Sequence, residues 1–273
     1  MSEKNMSDEI LSLEGLVFEA IELEIKDYIM TICLNRPERK NAINATMGAE
    51  IIYALDYAKQ ERNVRVVVLK AKGDVFCAGG DLAQMSGQGN EDKSTVPVRG
   101  GNDDIALRFR HLNKPSIACV QGNLFAGALL FLCNMTHAIA AEGVKFSAPE
   151  IKRGIWPFMV MGGLFRIMPK RAALDFVMRG NAINTVQAEK WGLINEAVPA
   201  EALNEHVALL AKELTSMAPS TMSLGLAAYV AQDAMEFDEA LPYLREQLDA
   251  CLQSEDAKEG ITAFLEKRQP VWG

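Results

Sequence analysis

The chain has 273 residues, and its 28 basic and 36 acidic side chains give a formal net charge of −8. Hydrophobic residues make up 49% and charged residues 23% of the sequence, which is enough apolar material for a sizeable core and excludes a wholly disordered chain. A pI near 5.1 argues against a broad surface for nucleic acid or anionic membranes, so neither is expected as a partner.

The cysteines and the N-terminal residues bear on the cellular compartment. The five cysteines include no CxxC pair, which favours reduced thiols in a cytoplasmic protein over a disulfide framework or a zinc site. Residues 1–16 are polar and mixed in charge, which predicts a loose tail without a targeting signal. The longest runs without a charged or strongly polar side chain are Leu124–Cys133 and Ile155–Phe165, both too short to span a bilayer.

A β-hairpin and a helix are the first predicted elements. Apolar residues alternate over residues 18–34, with Lys26 and Asp27 at the place of a tight turn, and this alternation is typical of a hairpin. Thr46 is the predicted N-cap of a helix that runs to about residue 62, because its hydroxyl can accept a hydrogen bond from the first helical turn.

Two strands that run into glycine turns come next. Residues 64–71 are predicted to form a buried strand, and residues 76–82 are predicted to contain a short strand together with the first glycine turn, into which it runs. Residues 84–104 are rich in Gly, Ser, Asn and Asp, which predicts a long mobile loop of the kind that often covers a site. Residues 116–121 form the next strand, and 126–133 follow the second glycine turn as a helix that is apolar on every side.

Helices dominate the second half of the chain. Strands and helices alternate up to about residue 200, which predicts an α/β core over residues 17–200. Residues 201–273 carry no strand pattern and are predicted to form a separate helical region. The predicted helices of this half are 170–179, 185–191, 201–217, 221–232, 236–251 and 257–268.

Most familiar catalytic signatures are missing from the sequence, including the dinucleotide-binding, P-loop, nucleophile-elbow and HExxH motifs. The three histidines lie in surface or core settings, so histidine-based catalysis is disfavoured. The two glycine turns, at 78–81 and 122–128, remain. If N–H groups from both turns converge, they would make an oxyanion hole for a carbonyl oxygen, although spacing alone does not decide whether they converge.

Several segments resemble motifs of the crotonase superfamily, the enoyl-CoA hydratase/isomerase family. The resemblance extends from Phe18 to the C-terminus. The matching segments, in the order of the family, are LNRPERKNAIN (34–44), VFCAGGDL (75–82), KPSIACVQG (114–122), KFSAPEIKRGIWP (145–157), GNAINTVQAEKWGLINEAV (180–198) and SEDAKEGITAFLEKR (254–268).

The resemblance implies a fold and a substrate. The fold would be a crotonase-like spiral of ββα turns, of the α/β class, with a C-terminal helical trimerisation region. The assembly would be a homotrimer or a dimer of trimers. The substrate would be an acyl-CoA thioester, and neither a metal nor a separate cofactor is implied, because coenzyme A is part of the substrate.

The resemblance also assigns the site residues. The backbone N–H groups of Gly80 and Gly127 match the oxyanion-hole positions, and Glu150 matches a catalytic carboxylate. Coenzyme A would lie near Arg36, Arg39, Lys40, Ala42 and Lys267, although ordinary solvated charge is an equal alternative for Lys267. The other substrate-binding residues assigned on this basis are Ala78, Asp81, Leu130, Trp156 and Phe158. Of these, Asp81 is expected to brace the first glycine turn more than to act on substrate.

One departure from the family pattern favours isomerisation over hydration. Leu130 stands where family hydratases carry their first catalytic glutamate, and only the second, Glu150, is kept. Water addition is best served by two carboxylates, whereas one base can move a proton from C2 to C4. In a second departure, residues 158–161 replace the glycine-rich stretch that the family carries after Pro157, which predicts a reshaped, apolar acyl pocket. An apolar wall of Phe146, Ile151, Trp156 and Phe158 is expected to desolvate Glu150 and raise its pKa.

The leading interpretation is therefore an enoyl-CoA hydratase/isomerase family enzyme that converts a 3-enoyl-CoA to the 2-enoyl form through an enolate. A hydratase or hydrolyase with a replacement for the missing carboxylate is one alternative, and a decarboxylase is another. A catalytically silent subunit that binds acyl-CoA or serves assembly is the alternative from another class.

Overall fold

The structure is a computed structural model that describes residues 10–81, 84 and 93–273. Its strands are β1 (Ile21–Lys26), β2 (Ile29–Leu34), β3 (Val66–Ala71), β4 (Val75–Cys77), β5 (Ser116–Val120), β6 (Asn123–Phe125), β7 (His137–Ala141), β8 (Lys145–Ser147), β9 (Ile183–Asn184) and β10 (Glu196–Val198). Its α-helices are α1 (Ala45–Gln60), α2 (Asp104–Arg110), α3 (Ala128–Leu132), α4 (Phe158–Ile167), α5 (Lys170–Arg179), α6 (Thr185–Lys190), α7 (Leu203–Thr215), α8 (Pro219–Gln232), α9 (Phe237–Leu252) and α10 (Glu255–Glu266). Short 3₁₀ turns cover Pro37–Arg39 and Pro149–Arg153.

Two sheets organise the described chain. The larger has the order β1-β2-β3-β5-β7-β10, and the smaller has the order β4-β6-β8-β9. The β1–β2 pair is antiparallel and every other pair in the larger sheet is parallel, while β4, β6 and β8 are parallel to one another in the smaller sheet. Strands that alternate with helices in this way confirm the predicted α/β class.

The predicted hairpin is confirmed, but its turn lies one residue further along. Lys26 pairs with Ile29, which leaves Asp27 and Tyr28 as a two-residue loop with φ values of 51° and 65°. Two left-handed residues in succession give the backbone twist that joins antiparallel strands most easily. The expected turn at Lys26 was wrong because Lys26 still belongs to β1.

Helix α1 is capped by Asn44, and the predicted cap at Thr46 was wrong. The Asn44 side chain accepts a hydrogen bond from the Met47 N–H at 2.9 Å, and Asn44 has the extended backbone that an N-cap requires. Further along α1, the fully buried Glu50 accepts backbone N–H groups of the chain that enters β1, from Glu19 at 2.7 Å and from Ala20 at 2.9 Å. This carboxylate fixes the hairpin against the helix.

The N-terminal residues that are described are not loose. Residues 1–9 of the predicted tail at 1–16 lie outside the described residues. Leu11, by contrast, is buried together with Tyr53, whose hydroxyl donates to the Ser12 carbonyl at 2.9 Å. The prediction of a loose tail therefore fails for this short stretch, because its apolar side chain finds a pocket on α1.

Part of the predicted mobile loop at 84–104 is held in place. Residues 93–103 are described, and the Thr95 N–H donates to the Val17 carbonyl at 3.1 Å while the Val17 N–H donates to Thr95 Oγ1 at 2.8 Å. Val96 is buried in the same small cluster as Leu11. Apart from residue 84, the rest of this loop lies outside the described residues.

The helical region after residue 200 has two kinds of packing. The buried residues of α7, which are Leu203, Val207 and Ala211, belong to the main core, so this helix covers the larger sheet. Helix α9 instead keeps Leu241, Leu244, Leu248 and Leu252 exposed. The domain boundary at residue 200 stays a prediction, but the chain just beyond it is part of the core packing. No helix of the described residues is long and apolar enough to cross a membrane.

Candidate active site

Three parallel strands of the smaller sheet end at one edge and present the proposed catalytic residues there. The chain continues from β4 to Gly80, from β6 to Gly127 and from β8 to Glu150. Because β6 pairs in parallel with both β4 and β8, the carboxyl ends of all three strands lie side by side. The strand order therefore brings together residues that are far apart in the sequence.

The two glycine turns touch each other. A Cβ atom placed on Gly79 would lie 2.7 Å from the Ala126 Cβ and 3.1 Å from the Gly127 nitrogen. A Cβ atom on Gly127 would lie 3.8 Å from the Gly80 nitrogen. The turns thus converge, which the spacing in the sequence left undecided.

The N–H groups of Gly80 and Gly127 have no hydrogen-bond partner among the described residues. On either side of Gly80, the Gly79 carbonyl accepts from the Ile43 N–H at 2.8 Å and the Asp81 N–H donates to the Ile43 carbonyl at 2.9 Å. Successive N–H groups of an extended chain point to opposite sides, so the Gly80 N–H faces away from Ile43. Gly127 is the N-cap residue of α3, where N–H groups have no intrahelical acceptor.

The helix after the second turn is shorter than the predicted 126–133. It begins only at Ala128 because Ala126 adopts a left-handed conformation with φ of 53°. The Ala126 N–H donates to the Ser147 carbonyl at 2.9 Å, and the Ala126 carbonyl accepts from the Leu129 N–H at 2.9 Å. These two bonds hold a strained residue in the turn.

A cavity of about 560 Å³ opens at this edge of the smaller sheet. It contains Gly80, Gly127 and Glu150 together with Ala78 and Lys40. The remaining described residues that line it are Phe125, Ala126, Ser147, Pro149, Lys152, Arg153, Ile155, Gly180 and Ala182. Glu150 is the only carboxylate in this described lining.

Glu150 is placed to act as a base. It lies on the 3₁₀ turn Pro149–Arg153, and its Oε2 atom is buried without a hydrogen-bond partner in the described structure. Burial raises the pKa of the Glu150 carboxyl above its ordinary value, while a hydrogen bond to its own backbone and the charge of Arg153 act in the opposite direction. A carboxylate with a raised pKa takes up a proton more readily.

The predicted apolar wall is wrong, because none of its four residues, Ile151 included, lines the described cavity, although Glu150 is desolvated as predicted. Phe146 is fully buried in the core and Phe158 is 69% exposed at the start of α4, and neither they nor Trp156 line the described cavity. Ile155 takes that place instead. The error arises because Pro157 precedes a helix, α4, whose first residues lie on the surface.

The basic residues assigned to coenzyme A differ in their surroundings, since some are open to the cavity or to solvent and Arg36 is bound within the protein. Lys40 lines the cavity, and Arg39 is exposed nearby in sequence. The Arg36 guanidinium instead donates to the Ala42 carbonyl at 2.6 Å and to Asp81 Oδ2 at 3.1 Å. Arg36 is thus engaged inside the protein, and Asp81 holds it there.

Two further assigned residues lie outside the described cavity lining. Lys267 ends α10 with φ of 56°, so it belongs to the C-terminal helices and not to this edge of the sheet. Leu130 lies on α3, where its N–H donates to the Gly127 carbonyl at 3.1 Å, and its side chain is partly buried against the core.

The sequence interpretation missed Lys152, Arg153 and Ile155 as lining residues. All three follow Glu150 within five positions, so their closeness to it in sequence was a usable signal. Nucleophilic cysteine chemistry has no support at the first turn, because burial raises the pKa of Cys77 to about 12. The described residues contain no group of three or more His, Cys, Asp and Glu that could hold a metal ion.

Two unpaired N–H donors and a desolvated carboxylate thus line one described cavity, and such donors are the kind of group that stabilises an oxyanion. The enoyl-CoA hydratase/isomerase family matches residues 24–273 of the chain. The chain belongs to this family, which acts on acyl-CoA thioesters.

Individual relatives agree with this membership. The probable mitochondrial enoyl-CoA hydratase of Dictyostelium discoideum is 31% identical over 256 residues, which covers 91% of this chain and 89% of that protein. The mitochondrial enoyl-CoA hydratase domain-containing protein 3 of Rattus norvegicus is 28% identical, with 90% and 82% covered. Both names say mitochondrial, so the predicted cytoplasmic location is not confirmed and stays a prediction.

Solved structures identify the fold. The enoyl-CoA hydratase of Mycobacterium smegmatis superposes with a TM-score of 0.86 at 25% identity and covers 93% of this chain and 99% of its own. The human enoyl-CoA hydratase domain-containing protein 3 gives a TM-score of 0.84 at 25% identity, with 93% and 100% covered. The predicted crotonase fold is therefore confirmed. These names all say hydratase, and the predicted preference for isomerisation has no support from them.

The contact between the glycine turns predicts that Gly79→Ala destabilises the protein more than an alanine at another left-handed glycine. Gly79→Ala introduces a Cβ against Ala126 at a φ of +89°, whereas Gly143→Ala introduces one at φ +86° with no atom within 4 Å. Both variants carry the cost of a left-handed alanine, about 1–2 kcal/mol. Gly79→Ala carries in addition an overpacking cost of about 1–3 kcal/mol.

Urea unfolding of both variants measures this difference in the free energy of unfolding. Gly79→Ala is also expected to lower turnover, because it pushes the two turns apart, while Gly143→Ala leaves turnover at the parental level. Equal stability and equal turnover of the two variants would contradict the contact.

Proposed function

We propose that the chain carries out enolate chemistry on an acyl-CoA thioester with a single carboxylate. The N–H groups of Gly80 and Gly127 hold the thioester oxygen, and Glu150 takes a proton from C2. The observation that carries this proposal is the cavity itself, in which two unpaired N–H donors and one desolvated carboxylate face the same space. Donors that are aligned in advance stabilise the developing oxyanion at little cost of reorganisation.

We further propose that the reaction is the conversion of a 3-enoyl-CoA to the 2-enoyl form. Glu150 removes a proton from C2, the electrons of that bond pass into a dienolate that the two N–H groups stabilise, and the same proton is returned at C4. One acid/base group is sufficient for this cycle, and it ends in its starting protonation state. The described cavity lining, which contains one carboxylate, supports a one-base reaction.

Hydration of a 2-enoyl-CoA is the second candidate, and the names of the relatives favour it. It requires a group that orients and deprotonates water in addition to the group that protonates C2. Ser147, another polar residue of the lining, donates its hydroxyl proton to the Gly180 carbonyl at 3.2 Å. A panel of 2-enoyl, 3-enoyl, 3-hydroxyacyl and malonyl-type CoA esters separates the two candidates from a decarboxylase and from a silent binding subunit.

Glu150→Gln is expected to lower isomerase kcat by about 10²–10⁴-fold, because it removes the general base and keeps the size of the side chain. The affinity for free coenzyme A is expected to stay unchanged, as for a group that acts in the transition state. In the parent, kcat/KM should fall as the pH drops through the raised pKa of Glu150, at a pH above its ordinary value near 4.5.

Turnover assays on a 3-enoyl-CoA over a range of pH measure kcat and kcat/KM. Deuterium exchange at C2 measures proton removal by Glu150. Glu142→Gln removes an exposed carboxylate and is the matched control. Near-parental turnover of Glu150→Gln would exclude the single-glutamate mechanism.

Leu130→Glu is expected to introduce or raise hydration of crotonyl-CoA, because it restores a carboxylate at the position where family hydratases have one. The stability cost is about 1–3 kcal/mol, since Leu130 is partly buried against the core and the new group lacks a partner there. Leu130→Gln is the control, because it has the same length without a basic group. A folded Leu130→Glu variant that hydrates no better than Leu130→Gln would show that the missing glutamate is not what limits hydration.

We propose a homotrimer or a dimer of trimers as the assembly. The exposed leucines of α9 support an interface, since an apolar helix face gains stability when it is covered. Light scattering on the full chain at micromolar concentration should give a mass of three or six times 30.0 kDa. A monomer under these conditions would contradict the proposed assembly.

A further inference from the structure

Arg36 does not have the surroundings of a phosphate ligand. Its side chain is only 17% exposed, and its Nη1 and Nη2 atoms donate to Asp81 Oδ2 at 3.2 Å and 3.1 Å. A further bond from Nη1 goes to the Ala42 carbonyl at 2.6 Å. The positive charge is neutralised by a carboxylate that is itself only 13% exposed. Such a charge-assisted pair holds two segments together, and it leaves little charge for an outside anion.

Asp81 connects this pair to the first glycine turn. It directly follows Gly80, its N–H donates to the Ile43 carbonyl at 2.9 Å, and its Oδ1 accepts from the Gln84 N–H at 3.4 Å. The Gly80 N–H lies in the peptide between residues 79 and 80, whose Gly79 carbonyl accepts from the Ile43 N–H at 2.8 Å. That Ile43 N–H shares a planar peptide with the Ala42 carbonyl that Arg36 binds, so Arg36 holds the peptides on both sides of Gly80, one through Ala42 and Ile43 and the other through Asp81.

Asn41 fixes the backbone of Arg36, at the opposite end of the ion pair from Asp81. Its side chain is fully buried, accepts from the Arg36 N–H at 2.9 Å, and donates to the carbonyls of Lys72 at 2.8 Å and Val75 at 2.9 Å. These bonds fix the backbone of Arg36 to the turn between β3 and β4. The backbone of Arg36 is therefore fixed, and its side chain reaches Asp81 from that fixed position.

We infer that Arg36 is a positioning residue that sets the direction of the Gly80 N–H through the Ala42–Ile43 peptide and Asp81, and that it is not a ligand of the coenzyme A phosphates. The inference rests on the proposed function, in which the Gly80 N–H is an oxyanion donor. It replaces the assignment of Arg36 to coenzyme A that the family resemblance implied. If Arg36 turned toward a phosphate, the nearly buried Asp81 carboxylate would lose both hydrogen bonds from the guanidinium and its counter-charge.

The test compares Arg36→Met, Arg36→Lys and Asp81→Asn with the parent. Free coenzyme A reports ground-state affinity by calorimetry. Acetoacetyl-CoA reports the oxyanion donors, because its enolate absorbs in the near ultraviolet and forms in the site without turnover. Arg62→Met removes an exposed arginine at the end of α1 and is the control for charge.

Arg36→Met is expected to lower the enolate signal and kcat by at least about tenfold, which is below the roughly 10²–10³-fold effect of deleting a whole oxyanion donor. The Kd of free coenzyme A should stay within about twofold of the parent, because no ligand contact is removed. Arg36→Lys and Asp81→Asn should give smaller losses of the same kind, since each keeps one hydrogen bond of the pair. Arg39→Met, in contrast, is expected to weaken coenzyme A binding.

Several results would overturn the inference. A Kd for coenzyme A at least tenfold weaker in Arg36→Met, with an unchanged enolate signal, would make Arg36 a phosphate ligand. If Arg36→Met does not fold, the Arg36→Met/Asp81→Asn double variant removes the stranded carboxylate and should still lack the enolate signal. A parent that neither enolises acetoacetyl-CoA nor turns over any ester would overturn the proposed function as well, whereas equal enolisation by parent and folded variants would overturn only the role of Arg36.

Discussion

The contact between Gly79 and the Ala126–Gly127 turn is the constraint on which the site depends. No side chain fits at Gly79, because a Cβ there would lie 2.7 Å from the Ala126 Cβ. The close approach follows from the parallel pairing of β4 with β6, which ends both strands at one edge of the smaller sheet. The same pairing of β6 with β8 adds Glu150, so that one sheet edge determines both the donors and the base.

The electrostatics of the cavity suit a charge that is created during the reaction. The two N–H groups have no described partner before the substrate binds, and the Oε2 atom of Glu150 is likewise buried without one. These unsatisfied groups are costly in the free protein. A thioester oxygen that becomes an oxyanion would satisfy the donors best in the transition state, and a C2 proton would neutralise the desolvated carboxylate. Under the proposed function, this cost in the free protein would be recovered more in the transition state than on binding of the ground state.

The sequence pattern predicted a helix or strand correctly where residues close in sequence determine its ends. Helix α5 was predicted and observed over residues 170–179, because an amphipathic stretch lies between Pro169 and Gly180, which mark its two ends. The Asn44 cap and the start of α3 were missed, because competing cap residues and the left-handed Ala126 are decided by tertiary contacts. That the two glycine turns converge was predicted only by the family resemblance. The ion pair of Arg36 with Asp81 could not be predicted from the residues around Arg36, because Asp81 lies 45 positions further along the chain.

The family resemblance gives this chain both oxyanion-hole positions and one of the two carboxylate positions of the hydratases. Under the proposed function, isomerisation, hydration and decarboxylation would all place negative charge on the thioester oxygen, so each would use the two N–H groups. The number of acid/base groups then selects among the reactions, because addition of water uses one more proton-transfer group than a shift of the double bond. With one carboxylate in the described cavity lining and Leu130 on α3, the proposed one-base shift of the double bond needs no further group. Under that proposal the two N–H groups would stabilise the common intermediate, and the number of acid/base groups would decide which product it gives.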